Sequence, residues 1–104
     1  MIEIVCYPVG APIPPVHPGE TLRAELAARG MSSRELSLKV RVPVSRLRAI
    51  MRGKTLISAE TALRLGRYFG TGAVFWMRLQ ARYDLAVAER DLGRRIAHEV
   101  MPDV

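Results

Sequence analysis

The sequence predicts an all-α domain of five helices, entered through a short extended N-terminal arm. Three observations point there. The chain of 104 residues has the length of one folding unit around one modest core. From Pro18 onward, apolar residues recur at three- and four-residue spacing, the period of a helix with one buried side. Most of these stretches are bracketed by helix punctuation, Pro or Ser at the start and Gly at the end, and nothing repeats internally.

Residues 1–16 read as the arm. Ile2, Ile4 and Cys6 alternate with Glu3, Val5 and Tyr7, a two-residue period that favours a short strand, and the prolines after it favour extended backbone. Helix one starts near Pro18 to Glu20, where proline suits a first turn, buries Leu22 and Leu26, and stops at Gly30. Helix two is capped by Ser32 or Ser33, with Glu35 completing a Ser-x-x-Glu capping box, and turns Leu36 and Val40 inward until Arg41. Pro43 opens helix three at no hydrogen-bond cost; Leu47, Ile50 and Met51 share one side of it, and Gly53 ends it. Helix four follows Ser58 through Ala62, Leu63, Leu65, Tyr68 and Phe69 to Gly70. After the Gly70-Thr71-Gly72 break comes helix five, in which Phe75, Trp76, Leu79 and Tyr83 crowd two adjacent faces. That is more apolar surface than one small neighbour covers, so these four residues are the expected dimer seam, partly shared with the domain core. The stripe continues as Leu85, Leu92, Ile96 and Val100, with an interruption expected at Gly93 and a stop at Pro102. The chain thus divides into an arm (1–16), a core (17–71) running into helix five, and a dimerisation helix with its tail (72–104).

Composition removes several classes. With 49% hydrophobic and 25% charged residues the chain is ordinary globular material, neither disordered nor low-complexity. Cys6 is the single cysteine, so no intramolecular disulfide or cysteine-rich zinc site can form, which fits a reducing compartment. The first 22 residues hold no Lys or Arg, so the basic stretch of a secretory signal is missing. Prolines and Gly10 break up the apolar run from Ile2 to Val16, which excludes a membrane-spanning helix there. A cytoplasmic protein is expected.

The net charge of +6 is concentrated. Between Met31 and Lys54, Arg34, Lys39, Arg41, Arg46, Arg48, Arg52 and Lys54 face the single acid Glu35, while the rest of the chain is neutral. A positive field held in one segment suits a polyanion-binding surface, although a solvated basic face would read the same way. Helices two and three, joined by about three residues in that segment, form a helix-turn-helix unit. At roughly 100° per residue, Leu47, Ile50 and Met51 lie on one side of helix three with Val44 at the border. Ser45, Arg48, Ala49 and Arg52 lie opposite, and Arg46 is on the flank. A helix fits the major groove, so this outward set can meet base edges and phosphates. Ser32 and Ser33, at a positive helix end, can cap the helix and also clamp a phosphate. Lys54, just past Gly53, is placed for the sugar-phosphate backbone.

The run MSSRELSLKVRVPVSRLRAIMRGK from Met31 to Lys54 resembles the helix-turn-helix of phage-repressor-like (Xre-type) regulators. HPGETL at His17–Leu22, ISAETALRLGRYFGT at Ile57–Thr71 and FWMRLQARYDL at Phe75–Leu85 are similar to the HigA/VapI type of antitoxin. The Phe-Trp-x-x-Leu-Gln-x-x-Tyr-Asp pattern is the most specific part. The resemblance covers roughly residues 17–85. It implies a dimeric, all-helical, DNA-binding antitoxin that represses its own operon and neutralises a RelE-like mRNA endonuclease. By position it puts base-facing sites on Val44, Ser45 and Ala49 and backbone-contacting sites on Ser33, Arg52 and Lys54, with Arg46 and Arg48 suited to either task. The chain departs from the pattern at Arg41, where the family commonly has Gly, at Pro43, where a small polar cap is usual, and at Ser37 in place of Ala. A left-handed backbone at Arg41 would strain the arginine modestly.

Other chemistry finds no constellation. His17 and His98 are far apart and have no cysteine cluster beside them, so no metal site or cofactor is expected. No spacing brings Cys6 or a serine to either histidine as a nucleophile-base pair, so no enzyme is expected. Gly70-Thr71-Gly72 lacks the further glycine and strand of a nucleotide-binding turn. The helical spacing of Trp76 and Tyr83 favours packing over base stacking. The expected partners are a palindromic operator duplex, a second copy of the chain and a RelE-like toxin. A stand-alone repressor without a toxin and a pure protein-interaction module remain open alternatives.

Overall fold

The computed structural model describes residues 15–103. Among them are five helices and no strand: α1 (Pro18–Arg29), α2 (Ser33–Val40), α3 (Val44–Met51), α4 (Ala59–Phe69) and α5 (Ala73–Glu99). The strand expected over Ile2–Cys6 lies outside the described residues.

Local chemistry sets the boundaries. His17 caps α1, its Nδ1 accepting the Gly19 N–H at 2.9 Å, and the helix ends where Gly30 turns left-handed (φ 61) and Met31 N–H reaches back to Leu26 O at 2.9 Å. Such a left-handed end satisfies carbonyls the helix would otherwise leave open. The capping box on α2 is complete: Glu35 N–H donates to Ser32 Oγ and Ser32 N–H to Glu35 Oε1, both at 3.1 Å. Ser32 is therefore the cap, and Ser33 is the first residue of α2. Ser58 caps α4 through the Thr61 N–H at 3.2 Å.

The turn between α2 and α3 keeps a left-handed residue although it has no glycine. Arg41 sits at φ 57, ψ 46, and it alone among the described non-glycine residues has positive φ. Neighbouring contacts hold it there. The Ser37 hydroxyl donates to Val42 O at 2.6 Å, Arg64 donates to Val40 O at 3.2 Å, and Val42 is buried as a plug beneath the turn. Pro43 precedes α3 without any side-chain cap bond.

One core joins all five helices: Leu22 and Leu26 of α1, Leu36 and Val40 of α2, Leu47 and Ile50 of α3, Leu65 and Phe69 of α4, and Trp76 of α5 are all buried. Two glycines bring backbones together. A Cβ at Gly19 would overlap Ile50 O of α3, and one at Gly66 would overlap the Gly72 backbone, so α1 lies directly on α3 and α4 on the start of α5. Gln80 fixes the α3–α4 loop by accepting the Ile57 N–H at 2.7 Å. Two expectations change. α5 runs through Gly93 without a break, because one glycine weakens a long helix by only about 1 kcal/mol. Leu63, placed by its spacing on the inward stripe of α4, is 63% exposed.

Candidate nucleic-acid interface

α3 is a short helix of eight residues, and a helix with its side chains is about 10–12 Å across, which fits the roughly 12 Å width of a B-DNA major groove. Its inward side is fixed by Leu47 and Ile50, both fully buried. The fold therefore forces Ser45, Arg48 and Arg52 outward, where all three are exposed, with Ala49 half-buried between them. Val44 is half-buried at the N-terminal border, and Arg46 is exposed on the flank. Gly53 turns left-handed (φ 71), and Lys54 N–H donates to Ala49 O at 2.8 Å. This holds the exposed Lys54 against the end of α3.

The structure joins α2 to this surface. Arg48 Nε donates to Ser33 Oγ at 3.3 Å, so the first turn of α2 and the outward side of α3 form one continuous face, with exposed Ser32 at its edge. None of the described ion pairs involves Arg46, Arg48, Arg52 or Lys54. The flanking acids in sequence are both engaged elsewhere, Glu35 in the capping box and Glu60 with Arg64 at 3.1 Å. A face of unneutralised guanidinium and ammonium groups beside the N–H end of a helix favours an extended anion.

The basic segment does not act as one surface. Lys39 and Arg41 lie at the C-terminal end of α2 and line a cleft with Arg64, Arg67 and Tyr68 of α4, at the opposite end of α2 from Ser33. The separation was invisible in the net charge because it depends on where α2 points. Of the four residues expected at a dimer seam, Trp76 is fully buried in the protomer core and Leu79 packs partly against that core. Tyr83 meets the His17 ring edge-on at 4.8 Å, and Phe75 is 39% exposed beside Trp76. Sequence reasoning gave no role to Gln80; its place in the Leu-Gln-x-x-Tyr-Asp run was the available signal. Among the described residues no group of three potential ligands gathers around a metal site, and no helix is long and apolar enough to cross a membrane.

A sequence profile of the helix-turn-helix family matches residues 22–76. The chain belongs to the helix-turn-helix family, and within it to the HigA/VapI group. Virulence-associated protein I of Dichelobacter nodosus is 46% identical over 80 residues, covering 76% of this chain and 74% of that protein. The HigA-family addiction module antidote protein of Coxiella burnetii superposes with a TM-score of 0.84 at 42% identity, over 86% of this chain and 99% of its own. The antitoxin HigA of Pseudomonas aeruginosa, solved with the higBA promoter, gives a TM-score of 0.83 at 44% identity over 86% and 99%. The five-helix architecture of this helix-turn-helix protein is thus shared by HigA-family structures over nearly their whole length.

Proposed function

We propose that this helix-turn-helix protein is the antitoxin of a type II toxin-antitoxin pair, binding a palindromic operator as a homodimer, repressing its own operon and neutralising a RelE-like mRNA endonuclease. The observation that carries the reading is the outward side of α3. It presents Arg48 and Arg52 with Ser45 and Ala49 on a helix whose opposite side is locked in the core. Val44, Ser45 and Ala49 are small enough to let the helix approach base edges, while Ser33, Arg46, Arg52 and Lys54 hold phosphates on either side. Solved relatives with the same fold include the antitoxin HigA with its promoter and the antitoxin GraA in complex with its operator. The dimer follows from need. One small module touching a few phosphates binds weakly, and two modules spaced by one helical turn, roughly 34–36 Å, fit two half-sites at once.

The test is fluorescence anisotropy with the protein's own upstream DNA across a salt series. Preference over a scrambled duplex is expected. Replacing Arg48 and Arg52 with Ala should flatten the salt dependence by about 0.9 in log–log slope for each phosphate that is no longer neutralised. Equal affinity for upstream and scrambled duplexes would overturn the DNA reading. The toxin half is tested separately, by growth rescue when the chain is co-expressed with a neighbouring small RelE-like reading frame.

A further inference from the structure

A second basic surface, separate from the outward side of α3, lies where the C-terminal ends of α2 and α4 meet. They enclose a cleft of about 420 Å³ lined by Lys39, Val40, Arg41, Arg64, Arg67 and Tyr68, a volume on the scale of small-molecule sites. All four cationic residues are exposed, and Tyr68 beside them is half-buried. Arg64 is held in place, donating to Val40 O at 3.2 Å and to Glu60 Oε2 at 3.1 Å. None of the described ion pairs involves Lys39, Arg41 or Arg67. Lys39 and Arg67 stand in the last turns of their helices, where each carbonyl end carries about half a negative charge. Even with Glu60 counted against Arg64, about two positive charges stay unbalanced. Arg41 adds an independent observation. Its left-handed backbone (φ 57) is one that glycine adopts freely and an L-residue only against its own Cβ. A strained position that keeps a long charged side chain with no ion-pair partner in the protomer calls for a partner outside it.

We propose that this cleft binds a compact polyphosphate, the anionic group of a nucleoside triphosphate. The site goes beyond the DNA and toxin functions proposed above and does not depend on them. Arg41 and Arg67 offer paired N–H donors that match phosphate oxygens two at a time, and Lys39 adds a point charge. Arg64, fixed through two of its nitrogens, contributes its charge at a preset position. The size of the cleft selects the ligand class. Four cations around one small volume suit charge concentrated on one small molecule. An acidic peptide would instead spread its carboxylates along an extended chain, at ~3.3 Å or more per residue, and duplex DNA is far wider than the cleft. The cleft also lies about 10 Å from Ser33 along α2, beyond the first turn that Ser33 shares with Arg48.

Isothermal titration calorimetry on the full chain, at low ionic strength and without divalent cations or DNA, tests this. Inorganic tripolyphosphate and ATP should each bind at one site per chain, roughly tenfold or more tighter than orthophosphate or AMP, because affinity follows the charge delivered to the cleft. The variant carrying Lys39→Gln and Arg67→Gln leaves the backbone at Arg41 untouched. It should lose tripolyphosphate affinity by roughly tenfold and keep its operator affinity in the anisotropy assay. Arg41→Gly should also weaken tripolyphosphate binding while Tm holds or rises. The variant carrying Arg48→Ala and Arg52→Ala should do the reverse, losing operator affinity and sparing tripolyphosphate. No tripolyphosphate binding, unchanged binding in the Lys39 and Arg67 variant, or a comparable loss in the Arg48 and Arg52 variant would overturn the inference. Equal binding of AMP or of a Glu-rich peptide would overturn it as well, the peptide result in favour of an acidic protein partner. A chain that ignores its upstream DNA yet takes up tripolyphosphate at the cleft would refute the DNA reading alone.

Discussion

Gly19→Ala puts the contact between α1 and the recognition helix to a direct test. Gly19 is buried in the first turn of α1, and a Cβ there would overlap Ile50 O and come within 2.8 Å of Ile50 C and 2.9 Å of Met51 Cα. All three are backbone atoms of α3, so no side chain can rotate aside to make room. Helix propensity alone would favour Ala by about 1 kcal/mol. Overpacking opposes it at about 1–3 kcal/mol, toward the upper end when backbone has to move. The net loss is then about 1–2 kcal/mol, and at ~4–8 °C per kcal/mol for a domain of this size Tm should fall by roughly 5–15 °C. Thermal unfolding followed by far-UV circular dichroism measures it. A Tm equal to or above that of the native protein would mean that propensity wins and that α1 does not rest on the α3 backbone as described.

Gly93→Ala should act in the opposite direction. Its Cβ meets only the flexible end of Glu89, so helicity should rise and the protein should gain up to about 1 kcal/mol in denaturant unfolding. Arg41→Gly should relieve the left-handed backbone and raise the urea midpoint, by no more than about 1 kcal/mol after the added freedom of the unfolded chain is counted; a lower midpoint would show that the arginine side chain stabilises the turn. Gln80→Leu should leave the Ile57 N–H buried without its acceptor and destabilise by about 1–3 kcal/mol, measured as a shift of midpoint at constant slope. Changing Ser45 or Ala49 should alter which operator is preferred more than how tightly DNA is held, read from competition between upstream and scrambled duplexes.

Most of the fold was legible because its signals are local. Pro18, the Ser32–Glu35 box, Pro43, Ser58, Gly30 and Gly70 each act on backbone within four residues, so their effect on helix ends needs no knowledge of distant chain. The outward side of α3 was legible for the same reason: periodicity assigns Leu47 and Ile50 inward and thereby Arg48 and Arg52 outward. Signals that depend on two elements were not legible. Leu63 has core spacing yet stays exposed, and the bond from Arg48 to Ser33 spans 15 residues. Gly19 and Gly66 look like ordinary helix residues until another backbone is found against them.

The division between sequence and tertiary structure has one physical origin. Caps, breaks and amphipathic period are properties of a single helix, and the order of residues determined those, along with the size and sign of the charge on the helix-turn-helix segment. Direction in space belongs to packing. Only the assembled core decided that Ser33 shares a face with Arg48 while Lys39 and Arg41 turn away toward α4, and that Trp76 of α5 is buried in its own protomer while Phe75, Leu85 and Leu92 stay exposed.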